Sequence, residues 1–285
     1  MIPPSAPKQH ASDAEITAAA AWVADAFPVK GYLSDWTLGY LYPWVARLVN
    51  RHLPPGAKVL DFGSGPGDIA AFLARIGYSC TACDDLQDPW HLKDDNRRKI
   101  LEFNERAGVE FKVLAHDQPF PWTTPTFDLM LAHHVLEHIH DSPRPLLNLL
   151  ISCVKDNGLL LIAVPNAANL RKRLAVLRGR TNYPPFVHVY WYEGVWRGHV
   201  REYVRSDLEE MVRFAGLELV ELGTYHYLAG SISSKLRVFW KLATALIPSG
   251  RDSWYVLARK PAGWKPRTAI DPNDPTAARL AAIWH

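Results

Sequence analysis

The sequence predicts an α/β fold: a doubly wound, parallel sheet with helices on both faces. Three observations predict it. From about residue 57 to 166, short apolar runs alternate regularly with segments of helical period. The apolar runs are near-continuous instead of alternating, as expected of strands buried on both faces. The first run also enters a glycine-rich turn that leads straight into a helix.

The elements follow in order. Residues 1–11 are polar and Pro-containing and are expected to be disordered. Ser12 or Asp13 is placed to cap a helix running to about Phe27. The stretch 36–53 is helical in pattern, with Pro43 as a first-turn or kink signal, and PPG at 54–56 breaks it. AKVLDFG is a strand, DIAAFLARIG a helix closed by Gly77, YSCTACD a strand, and NRRKILEFNERAG a helix closed by Gly108. VEFKVLAHD and TFDLMLAHH are strands. SPRPLLNLLISCVKDNG is a helix with Pro near its start and Gly at its end, and LLLIAVPN is the next strand. The rhythm then breaks. Residues 167–205 form an irregular insert, basic first and aromatic later. SDLEEMVRFAG resumes helix, with Ser206 and Glu209 spaced as a capping box. LELVELGTYHY and SWYVLARK are the last two strands, separated by a helical insert within 229–250. The expected organisation is a helical cap (12–53), a main domain (54–260) and a loose, Pro-rich tail (261–285).

Bulk properties exclude several classes. A length of 285 residues and 48% hydrophobic content allow a sizeable core. A net charge of +3 is too small to argue for nucleic acid. No apolar run is long enough to span a bilayer, and the N-terminus lacks the apolar centre of a signal peptide. Three Cys suit a reducing compartment, so a cytoplasmic location is expected; Cys80 and Cys83 sit within a strand and are expected to be inert core thiols.

The strongest chemical signal is VLDFGSGPGDIAAFLA, 59–74. Gly63, Gly65 and Gly67, with Ser64 between the first two, give G-x-G-x-G. A dinucleotide site would want G-x-G-x-x-G, and a P-loop would want Gly-Lys-Ser/Thr. Asp61 ends the first strand, a poor neighbour for pyrophosphate and a good one for a cation. Asp84, with Asp85 beside it, ends the second strand 23 residues later, where an acidic group accepts ribose hydroxyls. Asp117 ends the third, where a carboxylate can accept an adenine amino proton. A ligand with a ribose, an adenine and a positive charge fits this row, and S-adenosylmethionine has all three.

This constellation resembles the class I S-adenosylmethionine-dependent methyltransferases. The carrying residues are VLDFGSGPG, CDD at 83–85, HD at 116–117, FDLMLAHHVLEHI and GLLLIAVPN. Within that superfamily it is similar to the branch holding quinone-biosynthesis and glycan or natural-product methyltransferases, on Glu137–His138 and the GHVREY stretch at 198–203. The resemblance implies a Rossmann-like, seven-stranded sheet, mostly parallel with an antiparallel last strand. It implies cofactor contacts at the glycine turn, Asp84, Asp117 and the Ala132–His133 loop.

HHVLEHIH, 133–140, also fits H-x-x-E-H, a zinc-peptidase pattern in which His134 and His138 share a helix face. In the methyltransferase frame these residues are instead the turn after the fourth strand, and no metal is expected. A hydroxyl acceptor must lose its proton during transfer, which gives His199, His138, His134 and Glu202 as candidate catalytic groups. The insert's Tyr183, Tyr190, Trp191, Tyr192, Trp196 and Tyr203 are either an acceptor wall or a satellite core. The five cations of RKRLAVLRGR, 171–180, are either a solvated face or a receiver for a lipid-linked or nucleotide-linked glycan or an anionic lipid surface. Ile232, Leu236, Phe239, Ala243 and Leu246 recur at helical spacing, as on a helix packing on its own domain, on a second subunit or weakly on a membrane. Transfer to a hydroxyl is the expected reaction. Ring-carbon methylation of a quinone-like acceptor and a non-catalytic binding module are the alternatives.

Overall fold

The computed structural model describes residues 9–114, 119–227 and 234–282. Seven strands form one sheet in the order β3-β2-β1-β4-β5-β7-β6. They are β1 (Lys58–Phe62), β2 (Ser79–Asp84), β3 (Glu110–Val113), β4 (Phe127–His133), β5 (Val154–Pro165), β6 (Glu218–Tyr225) and β7 (Ser253–Arg259). β1 to β5 are parallel, and β7 runs antiparallel between β5 and β6. The carboxyl ends of β1, β2 and β4 therefore share one rim with Tyr225 at the end of β6 and Ser253 at the start of β7.

Side-chain alternation along the strands sorts the core into two layers. Val59, Ala82, Leu129, Leu131, Leu161 and Leu257 face one way, against α1 (Asp13–Ala26), α2 (Tyr42–His52), α3 (Asp68–Arg75) and α5 (Asn96–Ala107). Leu60, Cys83, Met130, Leu160, Ile162 and Val256 face the other way, against α6 (Pro143–Ser152) and α9 (Arg205–Phe214). Cys80 and Cys83 are buried in these layers, and burial pushes both thiols up, away from reactive thiolate. Ser12 caps α1 in a reciprocal box with Glu15. A π-helical turn at Thr37–Leu41 leads into α2, where the expected helix was continuous.

Several boundaries differ from expectation. The helix over 142–158 stops at Ser152, because Val154 already pairs with Phe127 in the sheet. Asn157 takes positive φ there, and the extra residues before Leu159 form a bulge. Ser206 and Glu209 make no capping box. The N-cap is Val204, two residues earlier, Asp207 accepts from the Val204 N–H, and Glu209 pairs with Arg205. The insert is not wholly irregular: it holds α7 (Leu170–Leu177), capped by Asn169, and the short α8 (Phe186–Tyr190). The tail is not loose over its described part. The Trp264 indole donates to Ala215 O, Asn148 bonds Arg267, and Arg213 pairs with Asp274. In α10 (Ser234–Leu246) Leu246 is 86% exposed, so the expected stripe does not run buried to its end. Ile232 lies outside the described residues.

The cap packs closely on the sheet. Tyr42 is fully buried, its ring 4.6 Å from Phe72 and its hydroxyl 2.7 Å from Asp68. Tyr42→Phe removes only the hydroxyl and leaves Asp68 short of a donor. The expected loss is roughly 1–2 kcal/mol of unfolding free energy at pH 8, read from urea curves.

Candidate active site

The glycine turn after β1 is built by close approach. Gly63, Gly65 and Gly67 all have positive φ. A Cβ on Gly63 would lie 2.6 Å from Val135 Cγ2, so the turn packs directly on the segment after β4. At Gly65 a Cβ would meet only Tyr32 Oη, at 3.8 Å, which leaves that side open toward the N-terminal cap. Ser64 N–H bonds Cys83 O at 3.1 Å and Gly65 N–H bonds Asp84 Oδ2 at 2.8 Å, so the turn is tied to the end of β2.

Three carboxylates crowd this corner. Asp61 is 2% exposed, and its Oδ2 has no hydrogen-bond partner among the described residues. Burial, with Asp68 and Asp84 nearby, pushes Asp61 well above the usual carboxylate range. Burial likewise raises Asp68 and Asp84 to about 6 each, against donors from Tyr42 and from the Leu86 and Gly65 amides. An acidic, partly unsatisfied cluster beside open backbone fits a ligand with a positive charge and vicinal hydroxyls. The residues therefore fit an adenosyl sulfonium, with Asp61 toward charge and Asp84 toward hydroxyls. Asp117 lies outside the described residues.

The other residues expected to touch cofactor have protein partners of their own. Asp85 turns away from the turn and takes both Arg197 amino groups at 3.0 and 3.1 Å. Ala132 is buried within β4, opposite Ile162. The His133 ring is spent on the Tyr225 hydroxyl at 2.9 Å, and burial keeps it neutral. From the segment after α1, Tyr32 reaches the glycine turn, its ring 5.0 Å from that of Trp90. Trp36 instead donates to His226 O, and Lys30 is exposed.

HHVLEHIH is not a metal-binding helix. His134 sits at φ 58°, and only Leu136–His138 forms a single 3-10 turn. His134 and His138 do not share a face. His134 bonds the Tyr225 hydroxyl at 2.9 Å and Glu137 Oε1 at 3.0 Å. His138 donates from Nδ1 to Arg197 O, and His140 from Nε2 to Trp196 O, each at 2.7 Å. These two histidines hold the insert by its backbone. His199 Nδ1 lies 2.9 Å from Glu202 Oε1, and Glu202 is in turn paired with Lys172. His199 Nε2 is 3.9 Å from Glu137 Oε1. Burial lowers His134 to about 3 and His199 to about 4, so both are neutral at pH 7. Burial raises the fully buried Glu137 to about 7. Ligand atoms of Glu137, His138 and His199 lie within 4.8 Å of one another. Among the described residues this is the grouping that could hold a cation.

Beside His199 is a cavity of about 300 Å³, also lined by Ala167, Asn182, Tyr183, Pro184 and Glu202. Of the expected aromatic wall, Tyr183 lines it. Tyr190 and Trp191 are 63% and 76% exposed, and Tyr203 is buried with its hydroxyl on Leu136 O. The Trp196 indole donates to His199 O, fixing the backbone there. Tyr225 and Arg197, which hold His133, His134 and Asp85 in place, carry no sequence motif, and Lys172 comes from the basic run. The GHVREY spacing pointed to His199 and Glu202 but not to Lys172, which comes from α7.

The chain matches the family described as "Methyltransferase domain" over residues 36–222. It is similar to the ubiquinone biosynthesis O-methyltransferase of Rickettsia canadensis (strain McKiel), 24% identical over 186 residues, 65% of this chain and 70% of that protein. The mitochondrial protein of that name from Bos taurus is 26% identical over 153 residues, 51% of this chain, and the match spans only 40% of its length. In fold it is similar to a crystal structure of a SAM-dependent methyltransferase from Methanosarcina mazei, with a TM-score of 0.51 and 16% identity over 75% of this chain and 97% of that one.

Glu137 makes stability depend on pH. Its folded value is about 7 and its ordinary value 4.5, so the folded state holds a proton that the unfolded chain releases. Stability therefore falls as pH rises from about 4.5 to 7 and stays lower above that. Glu137→Gln is expected to gain roughly 1–2 kcal/mol at pH 8 and nothing at pH 4, by denaturant unfolding. A gain equal at both pH values would contradict the assignment.

Proposed function

This chain belongs to the methyltransferase-domain family, and we propose that it moves a methyl group from S-adenosylmethionine to a hydroxyl oxygen of a small, ring-bearing acceptor. The cofactor supplies an electrophilic methyl carbon on a sulfonium. Asp61 would face the positive charge, Asp84 the ribose hydroxyls, and the Gly65 side of the turn the open backbone. The acceptor would enter the cavity between the insert and the end of β5.

The observation that carries the oxygen reading is the His199–Glu202 pair on the cavity wall. A hydroxyl is a weak nucleophile until its proton leaves. Glu202 accepts from His199 Nδ1–H, which fixes the tautomer and leaves the Nε2 lone pair free. The acceptor proton would pass from oxygen to Nε2. Lys172 pairs with Glu202, which holds that carboxylate in place to orient the imidazole. His134 and His138 are otherwise engaged and take positioning roles. The names of the relatives, O-methyltransferases of ubiquinone biosynthesis, favour a phenolic ring over a sugar as the first acceptor to try.

Two other readings remain open to test. Methylation at a ring carbon would need less from a base, and a non-catalytic module would bind cofactor without turnover. A screen for S-adenosylhomocysteine release against quinols, catechols and hydroxylated sugars separates them. The expected result is release with hydroxylated rings, and a drop of about 100-fold or more in His199→Ala while cofactor still binds. Near-normal turnover in that variant would move the reading to carbon. Cofactor binding with no release from any acceptor would favour the module.

The insert also bears on how the acceptor arrives. Leu177, Phe186, Tyr190 and Trp191 are exposed in the insert that also carries the cations of α7, and Val238, Leu242 and Leu246 are exposed along α10. No helix among the described residues is long and apolar enough to cross a membrane. Exposed apolar side chains and cations within one insert favour an acceptor carried at an anionic lipid surface. Flotation with anionic vesicles at low salt is expected to recover the protein, and failure to float removes this part of the reading.

A further inference from the structure

We propose that Arg197 is a positioning residue that latches the acceptor-side insert onto the cofactor-side loop, so that the adenosyl ligand exchanges only when the latch opens. The inference rests on the reading that this rim holds S-adenosylmethionine. Its basis is where the two ends of Arg197 are held. The sheet order puts β2 and β4 on either side of β1, whose glycine turn lies between them. The Arg197 main chain belongs to the β4 side, where His138 bonds its carbonyl and His140 bonds the carbonyl of Trp196. Its guanidinium belongs to the β2 side, where it takes Asp85 through two bonds and Asp88 through a third at 2.6 Å. One residue thus joins the two flanks of the β1 turn.

The loop it grips is tied to the ligand-facing residues. Asp85 directly follows Asp84, whose carboxylate is held by the Gly65 and Leu86 amides. Asp88 opens the short helix α4 (Pro89–Leu92), and Trp90 of that helix stands 5.0 Å from the Tyr32 ring. Tyr32 is the side chain that faces open Gly65. Pulling on Asp85 and Asp88 therefore sets the position of one wall of the ligand corner.

The chemistry suits a latch better than a fixed strut. Arg197, Asp85 and Asp88 are 40%, 37% and 40% exposed, so water can replace the bonds without unfolding the protein. A simple surface ion pair would hold little. A bidentate fork with a second carboxylate is the strong, directional form, and it is specific to arginine. Acceptor docking beside His199, two residues on, would then be felt at the cofactor loop through Arg197.

The test measures S-adenosylhomocysteine release by stopped-flow fluorescence, after calorimetry on the unmodified protein. If the unmodified protein binds neither S-adenosylmethionine nor S-adenosylhomocysteine, the site reading falls and the latch with it. If it binds, release is compared in Arg197→Met, Arg197→Lys, the Asp85→Asn/Asp88→Asn pair and the combined variant. Release is expected to speed up roughly tenfold in Arg197→Met and to a similar degree in the aspartate pair. The combined variant is expected to add nothing further, and Arg197→Lys to fall between, because one ammonium cannot fork. Rates within about twofold of the unmodified protein, or fully additive effects, overturn the latch while leaving the site reading intact. Melting temperature is followed throughout, and if Arg197→Met does not fold, Arg197→Lys and the aspartate pair decide the same question.

Discussion

The structure depends on a tolerated electrostatic cost. Asp61 and Asp84 at the ends of β1 and β2 and Asp68 at the start of α3 line one corner, and burial raises Asp68 and Asp84 to about 6 and, with both of them nearby, Asp61 well above its usual range. Burying like charges together is unfavourable, and a fold keeps such an arrangement where a ligand relieves it. The relief here is local. Backbone amides of Ala70, Gly65 and Leu86 and the Tyr42 hydroxyl satisfy part of the cluster, and Asp61 Oδ2 is left over. The positive-φ glycines keep side chains out of the same corner. Stability and binding are thus set against each other by the same residues.

A second network lies across the rim. Tyr225 at the end of β6 reaches His133 and His134, His134 reaches Glu137, and Glu137 stands near His199. Its imidazoles at His133, His134 and His199 are kept neutral by burial while its central carboxyl is kept protonated to about 7. Such a chain carries little charge below pH 7 and gains the Glu137 charge as pH rises through about 7. His138 and His140 extend it to the insert through the carbonyls of Arg197 and Trp196, so the insert is anchored to the segment after β4.

Much of the sheet was legible because strand burial and helix period are local signals. Lys58–Phe62, Ser79–Asp84 and Phe127–His133 each show a short apolar run ending at a chemically telling residue. The family resemblance rested on those ends. What was not legible came from contacts distant in sequence. VKDNG looked like a helix end, and only pairing of Val154 with Phe127 makes it strand. The fork that Arg197 makes on Asp85 joins residues 112 apart in the chain, and no local pattern announces it. His134 and His138 are spaced for one helix face, but positive φ at His134 breaks that face. Tyr225 has no motif at all and is chosen by strand order.

Calorimetric titration with S-adenosylmethionine near pH 6, repeated in buffers of different ionisation enthalpy, tests the central claim most directly. A sulfonium facing Asp61 brings a positive charge near Asp68 and Asp84, each raised to about 6, and favours their charged forms, so binding is expected to release protons at pH 6 and far fewer at pH 8. Proton uptake at pH 6, or no heat of binding at all, would contradict the account of an acidic rim shaped for that cation.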